Sequence, residues 1–201
     1  MNVNYWLKKI FFRATCILQT GAKLSKSARI INISGNSDRI RIGKCSFVSA
    51  ELLVFPHGGE IVIGDWCYIG DGSRLWSGSS IIVGNNVMIS HNVNVIDNQT
   101  HPISHLLRRN HFKNILQKGH PSDINLGDKP IRIDDDAWLS TGVIVLRGVH
   151  IGRGAIIGAG SVVTRDIPPF CIAVGNPARV MRELTDSEIN ELPSVKECNI
   201  H

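Results

Sequence analysis

The chain has 201 residues, a formal net charge of +5, 43% hydrophobic residues and only 6% aromatic residues. That length suits one domain with a substantial core, and a mild positive charge without a cationic stripe interleaved with aromatics argues against a nucleic-acid partner. The five cysteines, Cys16, Cys45, Cys67, Cys171 and Cys198, are scattered, odd in number and form no Cys-x-x-Cys, which excludes a disulfide framework and points to reduced thiols in a cytoplasmic protein.

In chain order the sequence reads as a cap segment over 1–39, coils over 40–167 interrupted by a loop at 98–132, and a strand and helix tail over 168–201. Residues 1–20 are expected to be helical. Within them, 5–13 are amphipathic, and Lys8, Lys9 and Arg13 interrupt any apolar run long enough for a signal peptide or a transmembrane helix. The stretch suits a helix packed on one end of the fold. An interfacial anchor at the inner face of a membrane is the alternative, with Trp6 and Phe11 entering the surface beside Lys8 and Lys9. Residues 21–39 form a polar lead-in with some strand character.

From residue 40 an aliphatic side chain returns at every sixth position. The runs are Ile42, Val48, Val54; Ile63, Ile69, Leu75, Ile81; Val83, Ile89, Val95; and Ile133, Leu139, Val145, Ile151, Ile157, Val163. Neither the helical period of 3.6 nor the strand period of 2 requires this step. A stack of triangular coils does: each six-residue unit supplies one short side and one corner, and three units close a turn. The repeated residue points inward, and burial of each contributes roughly 1.5–3 kcal/mol. Gly43, Gly64, Gly70, Gly84, Gly152 and Gly158 follow pulse residues directly and are read as corners whose backbone angles a Cβ would obstruct. Breaks near 55–62, 82 and 96–132 are expected to be bulges or excursions.

The 98–132 segment has no repeat, yet it holds Leu106, Leu107, Ile115 and Leu116 together with His105, Arg108, Arg109, His111, Lys113, Lys118 and His120. An unpatterned stretch of this length is functional or solvated. Beyond the coils, Pro168-Pro169 should stop the stack, Gly175-Asn176-Pro177 should turn the chain, and Thr185-Asp186-Ser187-Glu188 has the spacing of a capping box.

The hexad pattern over roughly 40–182, the Thr100-His101-Pro102 element and the segment 134–165 resemble the hexapeptide-repeat acyltransferases, in particular the xenobiotic, maltose and galactoside O-acetyltransferase group. The resemblance implies a mainly β, left-handed parallel β-helix with helical segments at both ends and one long protruding loop. That handedness departs from the usual crossover rule. It implies a homotrimer with sites at the subunit junctions, acetyl-CoA as acyl donor and no required metal. His101 becomes the general base, because an imidazole can take the proton of a hydroxyl as it attacks a thioester. Asp97 and Asn98 are near enough in sequence to orient it, or serve equally as turn residues. Trp138 would wall the thioester, or face another subunit. Ser140, Thr141, Gly142, Ala159 and Gly160 would line the pantetheine path, and Thr164, Arg165, Arg179 and Arg182 would meet the CoA phosphates. Asp71, Arg108 and Arg109 are the acceptor-binding candidates, with the loop as a clamp favouring anionic glycans. The expected activity is transfer of acetyl to a hydroxyl of a sugar or polysaccharide precursor. Alternatives are an antibiotic-modifying acetyltransferase, a metalloenzyme like the γ-class carbonic anhydrases using His91, His101 and His105, and a non-catalytic scaffold.

Overall fold

The computed structural model describes residues 16–190. The chain winds through six coils of three short strands. The first holds β1 (Ile17–Leu18), β2 (Lys23–Leu24) and β3 (Arg29–Asn32); the second β4 (Ile40–Ile42), β5 (Phe47–Val48) and β6 (Glu51–Val54). The third holds β7 (Ile61–Ile63), β8 (Tyr68–Ile69) and β9 (Arg74–Ser77); the fourth β10 (Ile81–Val83), β11 (Met88–Ile89) and β12 (Asn94–Ile96). An excursion follows that carries helix α1 (His105–Lys118). The fifth coil has β13 (Ile131–Ile133), β14 (Trp138–Leu139) and β15 (Ile144–Leu146), and the sixth β16 (His150–Ile151), β17 (Ile156–Ile157) and β18 (Val162–Val163). The stack ends in the hairpin β19 (Cys171–Gly175) and β20 (Ala178–Glu183), then α2 (Asp186–Asn190).

Corresponding strands pair in parallel and make three faces: β1-β4-β7-β10-β13-β16, β2-β5-β8-β11-β14-β17 continued by β19 and β20, and β3-β6-β9-β12-β15-β18. This is the expected left-handed parallel β-helix. Every pulse residue named above is 2% exposed or less. The column also draws on residues two positions earlier, such as Ile40, Ile61, Ile81 and Ile131 on the first face.

Two expectations change. The coils begin at Ile17 rather than near residue 40, because β1 and β2 pair with β4 and β5. Residues 16–20 are therefore strand and turn, not helix; the rest of the expected N-terminal helix lies outside the described residues. Nor do the glycines that follow pulse residues hold unusual angles. A Cβ on Gly70 would sit 2.7 Å from the Ser90 carbonyl of the next coil, and one on Gly152 would sit 2.5 Å from Pro169 N. Their role is close stacking of coil on coil. The left-handed corners lie elsewhere, in a column that includes Cys45, Trp66, Asn86 and Asp136 with φ of 55°, 58°, 56° and 62°.

The capping box forms as expected: Thr185 N donates to Glu188 Oε2 at 2.8 Å and Glu188 N to Thr185 Oγ1 at 3.3 Å. Cys16, Cys45, Cys67 and Cys171 are free thiols. No helix among the described residues is long and apolar enough to cross a membrane.

Candidate active site

The site begins where β12 ends and the chain leaves the coil. Asp97 is fully buried. Its carboxylate accepts hydrogen bonds from Ser77 Oγ at 2.7 Å, Gly78 N at 2.7 Å, Ser79 N at 2.9 Å and Asn98 Nδ2 at 3.1 Å. Asn98 Oδ1 in turn accepts from Thr100 N at 2.8 Å, and the Gln99 carbonyl accepts from His101 N at 2.6 Å. These bonds hold Thr100 at φ +59°, a left-handed conformation that a β-branched residue resists and that is typical of strained functional turns. Asp97 and Asn98 thus build the turn that projects His101; none of their hydrogen bonds reaches its imidazole.

The contact that orients the ring is another histidine. His101 Nδ1 lies 3.1 Å from His111 Nδ1, with ring centroids 5.2 Å apart and planes at 68°. His111 is the buried residue of α1, whose other residues are exposed or, at Ile115, half-buried. No spacing in the sequence paired these two residues, and the helix itself was not expected. Its N-cap Ser104 makes no side-chain capping bond, and its apolar residues do not gather on one side.

His101 opens into a pocket of about 310 Å³ lined by His105, Arg108, Arg109 and Phe112. Arg108 Nη1 donates to the carbonyls of Pro102 at 3.2 Å and Ile103 at 2.7 Å, bracing the turn. Arg109 also lines the pocket. The return arm is fastened beside the turn: Gln99 N donates to the Leu126 carbonyl, Lys129 N to that of Asp97, and Arg147 Nη1 to that of Gly127. Beneath it, His57 Nε2 stands 3.5 Å from Asp128 Oδ2, an electrostatic contact too long for a good hydrogen bond. Burial pushes the Asp128 carboxyl above its ordinary value, against the pull of His57. Phe55 covers this pair, its centroid 5.4 Å from that of His57 and 5.3 Å from that of His120.

The donor candidates occupy a different edge. Asp71-Gly72, His91-Asn92, Thr141-Gly142 and Ala159-Gly160 stack at the corner between the second and third faces. There Asn92 N donates to the Asp71 carbonyl, Gly142 N to that of His91 and Gly160 N to that of Thr141, at 3.0, 3.0 and 2.9 Å. Small exposed residues make this edge a ledge that an extended chain can approach. Ser140 lies at its inner side, its N–H bonded to the Ile157 carbonyl. Trp138 faces outward on β14, 40% exposed, with Nε1 donating to Ser90 Oγ at 3.3 Å. The Asp71 carboxyl is held below its ordinary value by hydrogen bonds from Ser27 and Ser49.

Thr164 and Arg165 are exposed just past β18, on the same edge as the turn of His101. Arg179 Nη1 donates to its neighbouring carbonyl at Ala178 at 2.9 Å. Arg182 is already engaged: its guanidinium grips both oxygens of Glu188 at 2.7 and 2.8 Å, and Glu188 is pulled down to about 2. As a phosphate ligand it would have to leave that pair.

Within one chain, then, His101 and the ledge lie on opposite sides of the third face. The run from Asn92 to Asp97 spans roughly 16 Å at about 3.3 Å per residue. His91 stands on the ledge edge, where it meets Tyr68, and is therefore not gathered with His101 and His105. Among the described residues no cluster of three or more His, Cys, Asp or Glu is arranged to hold a metal ion.

Residues 130–165 match the family model of the bacterial transferase hexapeptide (six repeats). The galactoside O-acetyltransferase of Lactococcus lactis subsp. lactis is 38% identical over 93 residues, 46% of this chain and 39% of that protein. The chain spans about two fifths or less of the length of the curated relatives it matches. Among solved structures, the maltose O-acetyltransferase of Clostridium difficile 630 is 26% identical, with a TM-score of 0.56 over 92% of this chain and 79% of that one. The N-acyltransferase AntD of Bacillus cereus, as a point mutant in complex with dTDP and coenzyme A, is 21% identical, with a TM-score of 0.67 over 92% and 90%; that likeness is one of fold. The repeat and the three parallel faces thus give the chain the fold of these hexapeptide-repeat acyltransferases, and residues 130–165 carry the repeat that the family model describes.

Proposed function

We propose that the protein is an acetyl-CoA-dependent O-acetyltransferase that acetylates a hydroxyl of a sugar or polysaccharide precursor, with His101 as general base. The observation that carries this reading is a half-buried imidazole, fixed through one nitrogen on a strained turn at the mouth of a pocket. The names of the Lactococcus and Clostridium relatives support the reaction class.

In this reading the acceptor hydroxyl sits beside Nε2 of His101. Nε2 takes the proton as the oxygen attacks the thioester carbonyl. The C–S bond then breaks, and the imidazolium returns the proton to the departing CoA sulfur. The tetrahedral oxyanion is met by a coil backbone N–H. The thioester is already activated, so no metal and no covalent enzyme intermediate is needed.

The pantetheine arm lies along Thr141-Gly142 and Ala159-Gly160, walled by Trp138, and Thr164, Arg165 and Arg179 face the phosphates. Because the ledge and His101 lie a full face apart in one chain, the complete site takes His101 from one copy and the ledge from its neighbour in a homotrimer. An outward apolar column supports that assembly: Phe47, Tyr68, Met88 and Trp138 stand in register on the second face, 37%, 38%, 51% and 40% exposed. Such contiguous exposure marks a contact surface. In the acceptor pocket Arg109 is the cation left to meet an anionic glycan, since Arg108 braces the turn. The enzyme works in the cytoplasm, where acetyl-CoA is made.

The test is thioester consumption against a panel of sugars and glycans, with product mass read out. His101→Ala should lower turnover by roughly 10²–10⁴-fold while CoA still binds. Unchanged turnover in that variant would reject the assignment of the base.

A further inference from the structure

Among the described residues no carboxylate is hydrogen-bonded to His101, the partner a general base ordinarily has. The nearest carboxylate in sequence, Asp97, is bonded to Ser77, Gly78, Ser79 and Asn98, and the atom facing Nδ1 of His101 is Nδ1 of His111 at 3.1 Å. Two imidazole nitrogens at that distance need one proton between them: one donates and the other accepts. If His111 donated, the neutral His101 would carry its remaining proton on Nε2 and could not act as a base there. If His101 donates, its Nε2 lone pair is free.

We propose that His111 is a positioning residue that accepts the Nδ1–H of His101 and so fixes the tautomer in which Nε2 of His101 is the base. The proposal deepens the reading of His101 as general base and rests on it. Two observations support it. His111 is 5% exposed and is the single buried residue of α1, so the helix delivers this one side chain to the turn. Burial first, then the charges of His101, His120 and His57, hold His111 below its ordinary value, which keeps it a neutral acceptor. With Nδ1 accepting, the His111 proton sits on Nε2, which is buried without a hydrogen-bond partner among the described residues, so this tautomer carries the cost of one unpaired N–H.

Besides His101, the titratable groups that act on His111 are His120, beyond α1, and His57, from the bulge after β6, which itself stands 3.5 Å from Asp128 of the return arm. In turnover the acceptor proton goes to Nε2 of His101 and leaves on the CoA sulfur. The Nδ1–H of His101 stays bonded to His111 throughout, and His111 changes no protonation state. A buried neutral imidazole therefore orients the base without raising its pKa as a carboxylate would.

The test uses the full chain with His111→Leu, which removes the acceptor, and His111→Asn, whose Oδ1 keeps an acceptor near the position of Nδ1. His111→Leu should lower kcat roughly 10–100-fold with the donor KM unchanged, as for loss of an orienting partner elsewhere. His111→Asn should stay within about threefold of the parent by retaining the same hydrogen bond. Nitrogen-15 NMR of the parent above the titration range should find His101 protonated on Nδ1, and His111→Leu should shift it toward Nε2–H. Parent-like kcat in His111→Leu, equal losses in both variants, or a parent His101 protonated on Nε2 would each overturn the proposal. If His111→Leu does not fold, His111→Asn and the parent spectrum still decide. The spectrum does not depend on activity, and full turnover in His101→Ala would instead reject the base itself, so the two failures are distinguishable.

Discussion

The buried carboxylate of Asp97 accepts a hydrogen bond from the Ser77 hydroxyl at 2.7 Å, one coil below. Together with the N–H groups of Gly78 and Ser79, this ties the turn of His101 to the preceding corner. Asp97→Ala would leave those donors unpaired in the interior. It should lower stability by about 3 kcal/mol, or roughly 6–12 °C in Tm for a chain of this size. Calorimetry checks this. A variant with parent Tm but lost activity would show that Asp97 acts on the imidazole after all.

Coil stacking depends on glycines that lack room for a Cβ. Gly70→Ala places a methyl 2.7 Å from the Ser90 carbonyl and should cost about 1–3 kcal/mol. Trp66→Gly, at an exposed left-handed corner with φ 58°, should change stability by less than about 1 kcal/mol, since relief of strain offsets added chain entropy. Urea midpoints rank the two. The reverse order would contradict the stacking role.

How much of this could be read from residues alone differs by region. The pulse recorded burial directly, so the core from Ile42 to Val163 was legible. The first coil was not. Leu18, Leu24 and Ile30 keep the six-residue step, but the run stops there: the next position is Asn36, and Asn32 takes the place on the third face that Val54 holds above it. The side chain of Asn32 bonds the Asn36 carbonyl, so three aliphatic positions followed by a polar stretch gave too short a run to read as a coil. Helix α1 was invisible because its apolar residues are spread around it and stay exposed. The Thr100-His101-Pro102 element marked the candidate base, but the His101–His111 contact follows only from how the excursion folds back.

Two arginines proposed near the CoA phosphates should separate. Arg165 is exposed, so Arg165→Ala should weaken CoA binding roughly tenfold, the loss of one charge-assisted contact. Arg182 is gripped by Glu188, so Arg182→Ala should leave the CoA Kd within about threefold, a rim effect. Calorimetric titration measures both. Equal losses would mean that Arg182 leaves Glu188 for the ligand.

Acid should loosen the excursion. His111 and His120 are both held below their ordinary value, chiefly by burial. Each binds fewer protons folded than unfolded, so its share of stability is fully present above about pH 6.5 and is lost as pH falls below it. Asp128, raised by burial, has the opposite sign: its penalty is absent at low pH and grows as pH rises through its raised value. The ordinary range of a carboxyl lies well below that of an imidazole, and two imidazoles act against one carboxyl, so acid loosens the excursion on balance. Trypsin cleavage within 98–132, normalised to an unstructured peptide, should speed up from about pH 7.5 to about pH 5.5 while the coils resist, as expected for local opening. A flat rate would count against a neutral His111 and His120 in the folded excursion.

In the proposed trimer the base and the donor ledge meet only between copies. His101→Ala removes the base and Ala159→Trp blocks the ledge, so each variant alone should be inactive. Co-assembled at equal amounts, about one quarter of the junctions in a cyclic trimer would pair an intact His101 with an intact ledge. Activity near a quarter of the parent is the predicted result; a mixture as inactive as either variant alone would contradict the shared site.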